Sequence, residues 1–199
     1  GLGTYVHGLI VRSVQSFVTD VYGAAQWQRV AVRADLPAPD VEAMMRYADD
    51  VFARTVSAAA SVLDKPVDGL LEDLGTYLVS HRSMGRIRRL LRFGGADFVE
   101  FIESLDDLVG RAHLAMPDLG LPAIQVRAVG PGLYTVSCAW AAMDLTALLI
   151  GALRAMADDY GALAMVDAAP ASDGAGVRVT LLSSAFTPGR SFELRRARP

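Results

Sequence analysis

The sequence predicts an α/β chain in which a helical N-terminal lobe is followed by a ββαββ lobe built on antiparallel strands. Three observations predict it. Apolar residues recur at helical spacing from Val6 to Ala112. The period drops to two after Pro122, where Ile124, Val126 and Ala128 alternate. A strongly apolar helical run, Leu145–Tyr160, then separates that alternating stretch from a second one.

The elements follow in order. Val6, Leu9, Ile10, Val14, Phe17, Val18 and Val21 define a first helix, and Gly23 ends it. A second, short helix holds Trp27 and Val30. Residues 34–40 read as a loop with two prolines, and Asp40 reads as an N-cap. Val51, Phe52, Thr55, Val56, Ala59 and Leu63 form the next amphipathic face. Pro66 opens another helix containing Val67, Leu70, Leu71, Leu74 and Leu78. Ile87, Leu90 and Leu91 belong to a short helix that stops near Gly94-Gly95. Phe98, Phe101, Ile102, Leu105, Leu108, Val109 and Ala112 predict one long helix leading to Pro117. Beyond Pro122, residues 124–138 form a hairpin around Gly130-Pro-Gly132. Leu163–Val166 and Val177–Leu182 alternate again, and Phe192–Leu194 predicts a last short strand. The expected organisation is one domain over residues 1–199, with a helical lobe to about 117 and an α/β lobe from about 118.

Composition excludes several classes. Hydrophobic residues make up 52% of the 199, enough for a real core. Charged residues are only 21% and the net charge is −3, so no nucleic-acid partner is expected. A single cysteine, Cys138, rules out an internal disulfide framework and suits a reducing compartment. No apolar run reaches the roughly 18–20 residues that span a bilayer. The apolar start has no basic leader, so the expectation is a cytoplasmic protein without a membrane span.

The stretch Leu105-Asp-Asp-Leu-Val-Gly-Arg-Ala-His-Leu-Ala-Met-Pro117, with Pro122 after it, resembles the proximal helix of the heme-nitric oxide/oxygen-binding (H-NOX) family. That family reads Leu-Asp-x-Leu-His there, and its histidine ligates heme iron. His7-Gly-Leu-Ile10, Val21-Tyr-Gly23 with Trp27, Tyr47-Ala-Asp-Asp50 with Ala58–Leu63, Leu74-Gly75 and Leu90–Gly95 are similar to further family segments in the same order. The resemblance implies the H-NOX fold and a sensory role.

Two departures bear on function. Val109 stands where the resemblance puts the iron ligand, and valine has no lone pair. The family's Tyr-x-Ser-x-Arg motif, which holds the heme propionates, falls on Cys138, Trp140 and Ala142 when counted back from Ile150-Gly151. None of these replaces a bidentate arginine. No cofactor is therefore expected, although the resemblance implies heme. The family's heme-facing positions correspond to Ile10, Val14, Leu78, Val109, Pro122, Leu148 and Ala152, all apolar. They predict either a dry cavity for a fatty-acid-like ligand or a core closed by repacking.

Other candidates carry less. His113 lies one turn after Val109 and is either a displaced iron ligand or an ordinary helix histidine. His7 and His81 lack metal-ligand neighbours and read as structural or surface residues. Arg86, Arg88, Arg89 and Arg92 read as a solvated face opposite Ile87, Leu90 and Leu91; the alternative is an anchor for an acidic partner or a ligand carboxylate. The pairs Asp49-Asp50, Asp106-Asp107 and Asp158-Asp159 form no general acid/base couple. No nucleophile elbow or phosphate loop appears, and no metal site or enzymatic activity is expected. The resulting expectation is a heme-independent sensory domain. By family analogy it acts in trans on a signalling partner such as a histidine kinase or a diguanylate cyclase, with a hinge near Pro117–Pro122. The alternatives are a heme sensor using His113 and a ligand-free structural module.

Overall fold

The structure, a computed structural model, describes residues 5–140 and 142–182. The N-terminal half contains β1 (Tyr5–His7), α1 (Gly8–Tyr22), α2 (Ala24–Arg33), β2 (Arg46–Ala48), α3 (Val51–Val62) and α4 (Val67–Ser80). Next come α5 (Gly85–Arg92), α6 (Phe98–Glu103) and α7 (Leu105–Ala115). The remainder is β3 (Ala123–Gly130), β4 (Leu133–Ala139), α8 (Thr146–Tyr160), β5 (Ala164–Ala168) and β6 (Val177–Leu181). This is the helical lobe and ββαββ lobe that the periodicity predicts. The expected strand at Phe192–Leu194 lies outside the described residues.

Three expectations are corrected. Val6 is not helical: β1 pairs antiparallel with β2, and Val6 faces Tyr47 across the ladder, both buried. A three-residue strand whose partner lies some forty residues away leaves no local periodicity to detect. The α1 helix therefore starts at Gly8, where the His7 imidazole Nδ1 accepts the Leu9 N–H at 3.1 Å. Asp40 caps no helix; its carboxylate instead accepts from the Gln15 side chain at 3.0 Å. The long helix expected from Phe98 to Pro117 is two helices. Ser104 interrupts it, with its N–H shared between the Glu100 and Phe101 carbonyls and its hydroxyl donated to Phe101 O at 2.8 Å. The start of α6 is fixed by a reciprocal cap. Asp97 accepts the Glu100 N–H at 2.9 Å, and the Glu100 carboxylate accepts the Ala96 N–H at 2.7 Å.

The four-stranded sheet runs β3-β4-β6-β5, with every neighbouring pair antiparallel. Its register sets Tyr134 opposite Val179, Val136 opposite Val177 and Val166 opposite Val179. These five side chains are buried against Phe98, Phe101 and Ile102 of α6 and Leu153, Met156 and Ala157 of α8. Alternation places them all on one face. A second apolar cluster joins Val11, Val14, Phe17 and Val18 of α1 to Trp27, Phe52, Val56, Leu70, Leu71 and Leu74. The packing boundary therefore does not follow the lobe boundary expected near Pro117, because α6 belongs with the sheet.

The two clusters meet where α4 crosses α8. A Cβ on Gly75 would lie 2.1 Å from the Leu148 carbonyl oxygen, and one on Gly151 would lie 1.9 Å from that of Glu72. The two backbones touch there, and no side chain larger than hydrogen fits at either point. Beside the crossing, the Arg154 guanidinium donates to Glu72 at 2.7 Å, to Asp167 at 3.1 Å and to the Val166 carbonyl at 3.0 Å. One side chain thus ties α4, α8 and β5 together.

Candidate functional site

The candidate site is the region between the two clusters. Helices α1 and α4 bring Ile10, Val14, Leu78 and Leu148 of α8 to the first cluster. Ala152, one turn along α8, packs against the second. Val109 on α7 and Pro122 before β3 are half-buried and lie in neither cluster among the described residues. Of the seven positions expected to line a cavity, only Val14 is fully enclosed; the other six are half-buried. The first turn of α8 shares this property, since residues 146–150 are all half-buried although the helix runs between two cores.

The polar inventory of this region is short. His113 is exposed on α7, the helix of Val109. The Cys138 side chain is half-buried on β4, and burial holds its thiol up at about 11, with the Asp144 carboxylate adding to the rise. With no metal beside it, this group is a neutral thiol. Trp140 packs against the first cluster, and its ring lies 5.1 Å from that of Phe52 in a tilted contact. Ala142 contributes only a methyl group. The buried side-chain nitrogens and oxygens without a partner among the described residues belong to Arg111, Thr135 and Arg178, none of them among these positions. No group of three or more His, Cys, Asp or Glu side chains among the described residues could hold a metal ion. The residues here supply an apolar wall, an indole and a protonated thiol. They provide neither an axial nitrogen at position 109 nor a cationic fork for two carboxylates, so this donor set does not fit an iron porphyrin.

Two cavities lie elsewhere. One of about 280 Å³ is bordered by Val79, Ser80, Arg88, Ala155, Asp158 and Asp159. An open groove of about 550 Å³ runs past Arg33, Asp35, Asp50, Arg54, Ser57 and Ser61. Neither contains the expected lining residues.

Sequence reasoning missed a polar knot beside the site. The Asp20 carboxylate accepts from the Tyr77 hydroxyl at 2.6 Å and the Ser83 hydroxyl at 3.0 Å, and His81 Nδ1 lies 2.7 Å from Ser83 Oγ. The Tyr77 hydrogen bond holds Asp20 below the usual carboxylate range, while burial and Asp20 push Tyr77 up to about 12. The knot joins α1 to the end of α4 and gives His81 the structural role expected for it. Its members lie up to 63 positions apart, so no local signal marks it. Gly75 and Gly151 were also overlooked as a contact. A glycine inside an apolar helical pattern was the available signal for both.

The arginine cluster is also rearranged. Arg86, Arg89 and Leu90 share one stripe of α5, so the arginines do not stand opposite all three apolar residues. Arg88 and Arg92 turn to Asp159 at 3.7 and 2.8 Å, and Arg92 also lies 4.0 Å over the Tyr160 ring.

The helices pack on one face of an antiparallel sheet through two apolar clusters that meet where α4 crosses α8. The Haem-NO-binding family (HNOB) matches residues 7–166, and the chain belongs to that family. Its fold is similar to the Fe(II) unliganded H-NOX protein from K. algicida, with a TM-score of 0.75 and 15% identity, covering 91% of this chain and 99% of that one. It is also similar to the S. oneidensis H-NOX protein in the Fe(II)NO ligation state, with a TM-score of 0.73, 15% identity and coverage of 89% and 100%. Among curated proteins it resembles soluble guanylate cyclase gcy-31 of Caenorhabditis elegans, 22% identical over 118 residues, which are 59% of this chain and 17% of that protein. It also resembles soluble guanylate cyclase 89Db of Drosophila melanogaster, 19% identical over 160 residues, 80% of this chain and 24% of that protein. The chain therefore spans a quarter or less of the curated relatives it matches. No helix among the described residues is long and apolar enough to cross a membrane.

Proposed function

We propose that this chain is an H-NOX-type sensory domain that has exchanged heme for an apolar ligand and signals to a separate effector. The observation that carries the reading is the chemistry at positions 109, 138, 140 and 142. Valine, a neutral thiol, an indole packed on Phe52 and a methyl group stand where iron ligation and propionate binding would need imidazole and guanidinium. His113 does not rescue the heme reading, because it is exposed on α7. The half-buried lining of Ile10, Leu78, Val109, Pro122, Leu148 and Ala152 supports a crevice that a fatty-acid-like chain can enter, with each buried methylene contributing about 0.8 kcal/mol. Occupancy would bear on α4 and α8 at their tight crossing and so shift one lobe against the other, with the Pro117–Pro122 connection as the hinge. The effector, such as a histidine kinase, a diguanylate cyclase or a guanylate cyclase as in the named relatives, reads that shift. No enzymatic step is assigned to the chain itself.

Titration of the purified protein with hemin followed by gel filtration tests the cofactor half of the reading: no Soret band should co-elute. Organic extraction of the protein as purified tests the ligand half, and should release a stoichiometric long-chain lipid. A tight Soret-bearing complex would overturn the first half. A lipid-free protein that also binds no added fatty acid would overturn the second and favour a structural module.

A further inference from the structure

The α5 helix is unlike every other long helix of the fold. None of its residues is buried, whereas each of the other helices of eight or more residues hides at least two side chains. Yet its composition is not that of a solvated helix. Ile87, Leu90 and Phe93 are 36%, 45% and 82% exposed. No acidic residue occurs between Asp73 and Asp97, while Arg82, Arg86, Arg88, Arg89 and Arg92 fall within eleven positions of a chain whose net charge is −3. Helical spacing sorts them. Arg88 and Arg92 form the stripe that grips Asp159 and so fixes the helix to the end of α8. Arg86, Arg89, Leu90 and Phe93 follow i, i+3, i+4, i+7 spacing and form a second stripe. All four are exposed, and neither arginine forms an ion pair among the described residues.

We propose that this stripe is a peripheral membrane-docking face for anionic lipid. Guanidinium groups and bare apolar side chains side by side match one environment, the boundary between anionic headgroups and acyl chains. Arg86 and Arg89 meet the headgroup phosphates while Leu90 and Phe93 enter the apolar layer just beneath. The shape selects a bilayer over an acidic protein. The cavity beside α5 is bordered by Arg88 on its other face and not by the stripe, and four side chains on a helix about 12 Å long are a small patch beside the roughly 800 Å² per partner of a stable protein interface. A fluid lipid surface accepts a convex element without shape complementarity. This inference does not depend on what occupies the crevice.

The test is co-sedimentation of the protein with vesicles of phosphatidylglycerol and phosphatidylcholine, against vesicles of phosphatidylcholine alone. The wild type should bind only the anionic vesicles, and 0.5 M salt should release it by screening. Replacing Arg86 and Arg89 together with alanine should lower partitioning about thirty-fold, and Leu90→Ser with Phe93→Ser should lower it without altering the salt dependence. Because α5 buries no side chain, all variants should keep the wild-type thermal transition. Equal binding to both vesicle types would overturn the proposal. So would no binding to either, or wild-type binding by the arginine variant. Absence of vesicle binding with saturable capture by an acidic protein would reassign the face to a protein partner and equally overturn it.

Discussion

Replacing Gly151 with alanine should destabilise the protein, although alanine is the better helix former. The added Cβ would lie 1.9 Å from the Glu72 carbonyl oxygen, 2.8 Å from its carbonyl carbon and 3.1 Å from its Cα. All three are backbone atoms of α4, so no rotamer change relieves the contact. The helices must part by about 1.5 Å to reach ordinary van der Waals distance, and that parting loosens α4·α8 packing and stretches the 2.7 Å Arg154–Glu72 contact. Overpacking of this kind costs about 1–3 kcal/mol, and the glycine-to-alanine gain in helix propensity returns about 1 kcal/mol. Because the clash is with rigid backbone, the cost lies in the upper part of that range, about 2–3 kcal/mol, and the expected net loss is about 1–2 kcal/mol, a fall in Tm of roughly 2–8 °C for a chain of this size. Gly110→Ala supplies the control. Gly110 is exposed within α7 and a Cβ there meets nothing within 4 Å, so the same substitution should stabilise by about 0.5–1 kcal/mol. Thermal unfolding followed by circular dichroism measures both. If Gly151→Ala melts at or above the wild type while Gly110→Ala behaves as expected, the backbone contact between α4 and α8 is refuted.

Three further outcomes follow from the same geometry. Ala152→Phe should leave the fold intact and weaken binding of a long-chain fatty acid; unchanged affinity in the folded variant would reject a crevice at this position. Cys138, held at about 11, carries about a hundred-fold less thiolate near pH 8 than a thiol at the ordinary value of 9.0, so alkylation should be slow and should accelerate tenfold per pH unit; reaction at the rate of a free thiol would contradict its burial. Tyr77→Phe should cost about 1–2 kcal/mol by taking a donor from Asp20. Tyr77 has a folded-state pKa of about 12 against an ordinary 10.0, so its share of stability is present below pH 10 and lost as pH rises toward 12. Asp20 is lowered, so its share is present above the ordinary carboxylate range and lost as pH falls through it. Denaturant midpoints across both pH ranges should show the alkaline loss in the wild type and a flatter curve in Tyr77→Phe.

What the sequence by itself determined is whatever repeats locally. Helical spacing located α1, α3, α4 and α8, alternation located the strands of the four-stranded sheet, and short motifs in order pointed to the family, because each is written within a turn or a strand of chain. The absence of an imidazole at position 109 and of an arginine at position 142 was equally legible, since it needs only residue identity and a resemblance that supplies the register. Tertiary structure alone decided the rest. The β1–β2 pairing, the Asp20–Tyr77–Ser83 knot and the Arg154 fork each join residues distant in sequence, so none leaves a periodic trace. The break at Ser104 is set by side-chain and backbone hydrogen bonds that the unbroken apolar pattern of residues 98–112 conceals. Whether α5 is a covered or a bare helix was likewise invisible to hydropathy. Its apolar residues would serve either state, and only the positions of α4 and α8 leave Leu90 and Phe93 facing outward beside Arg86 and Arg89.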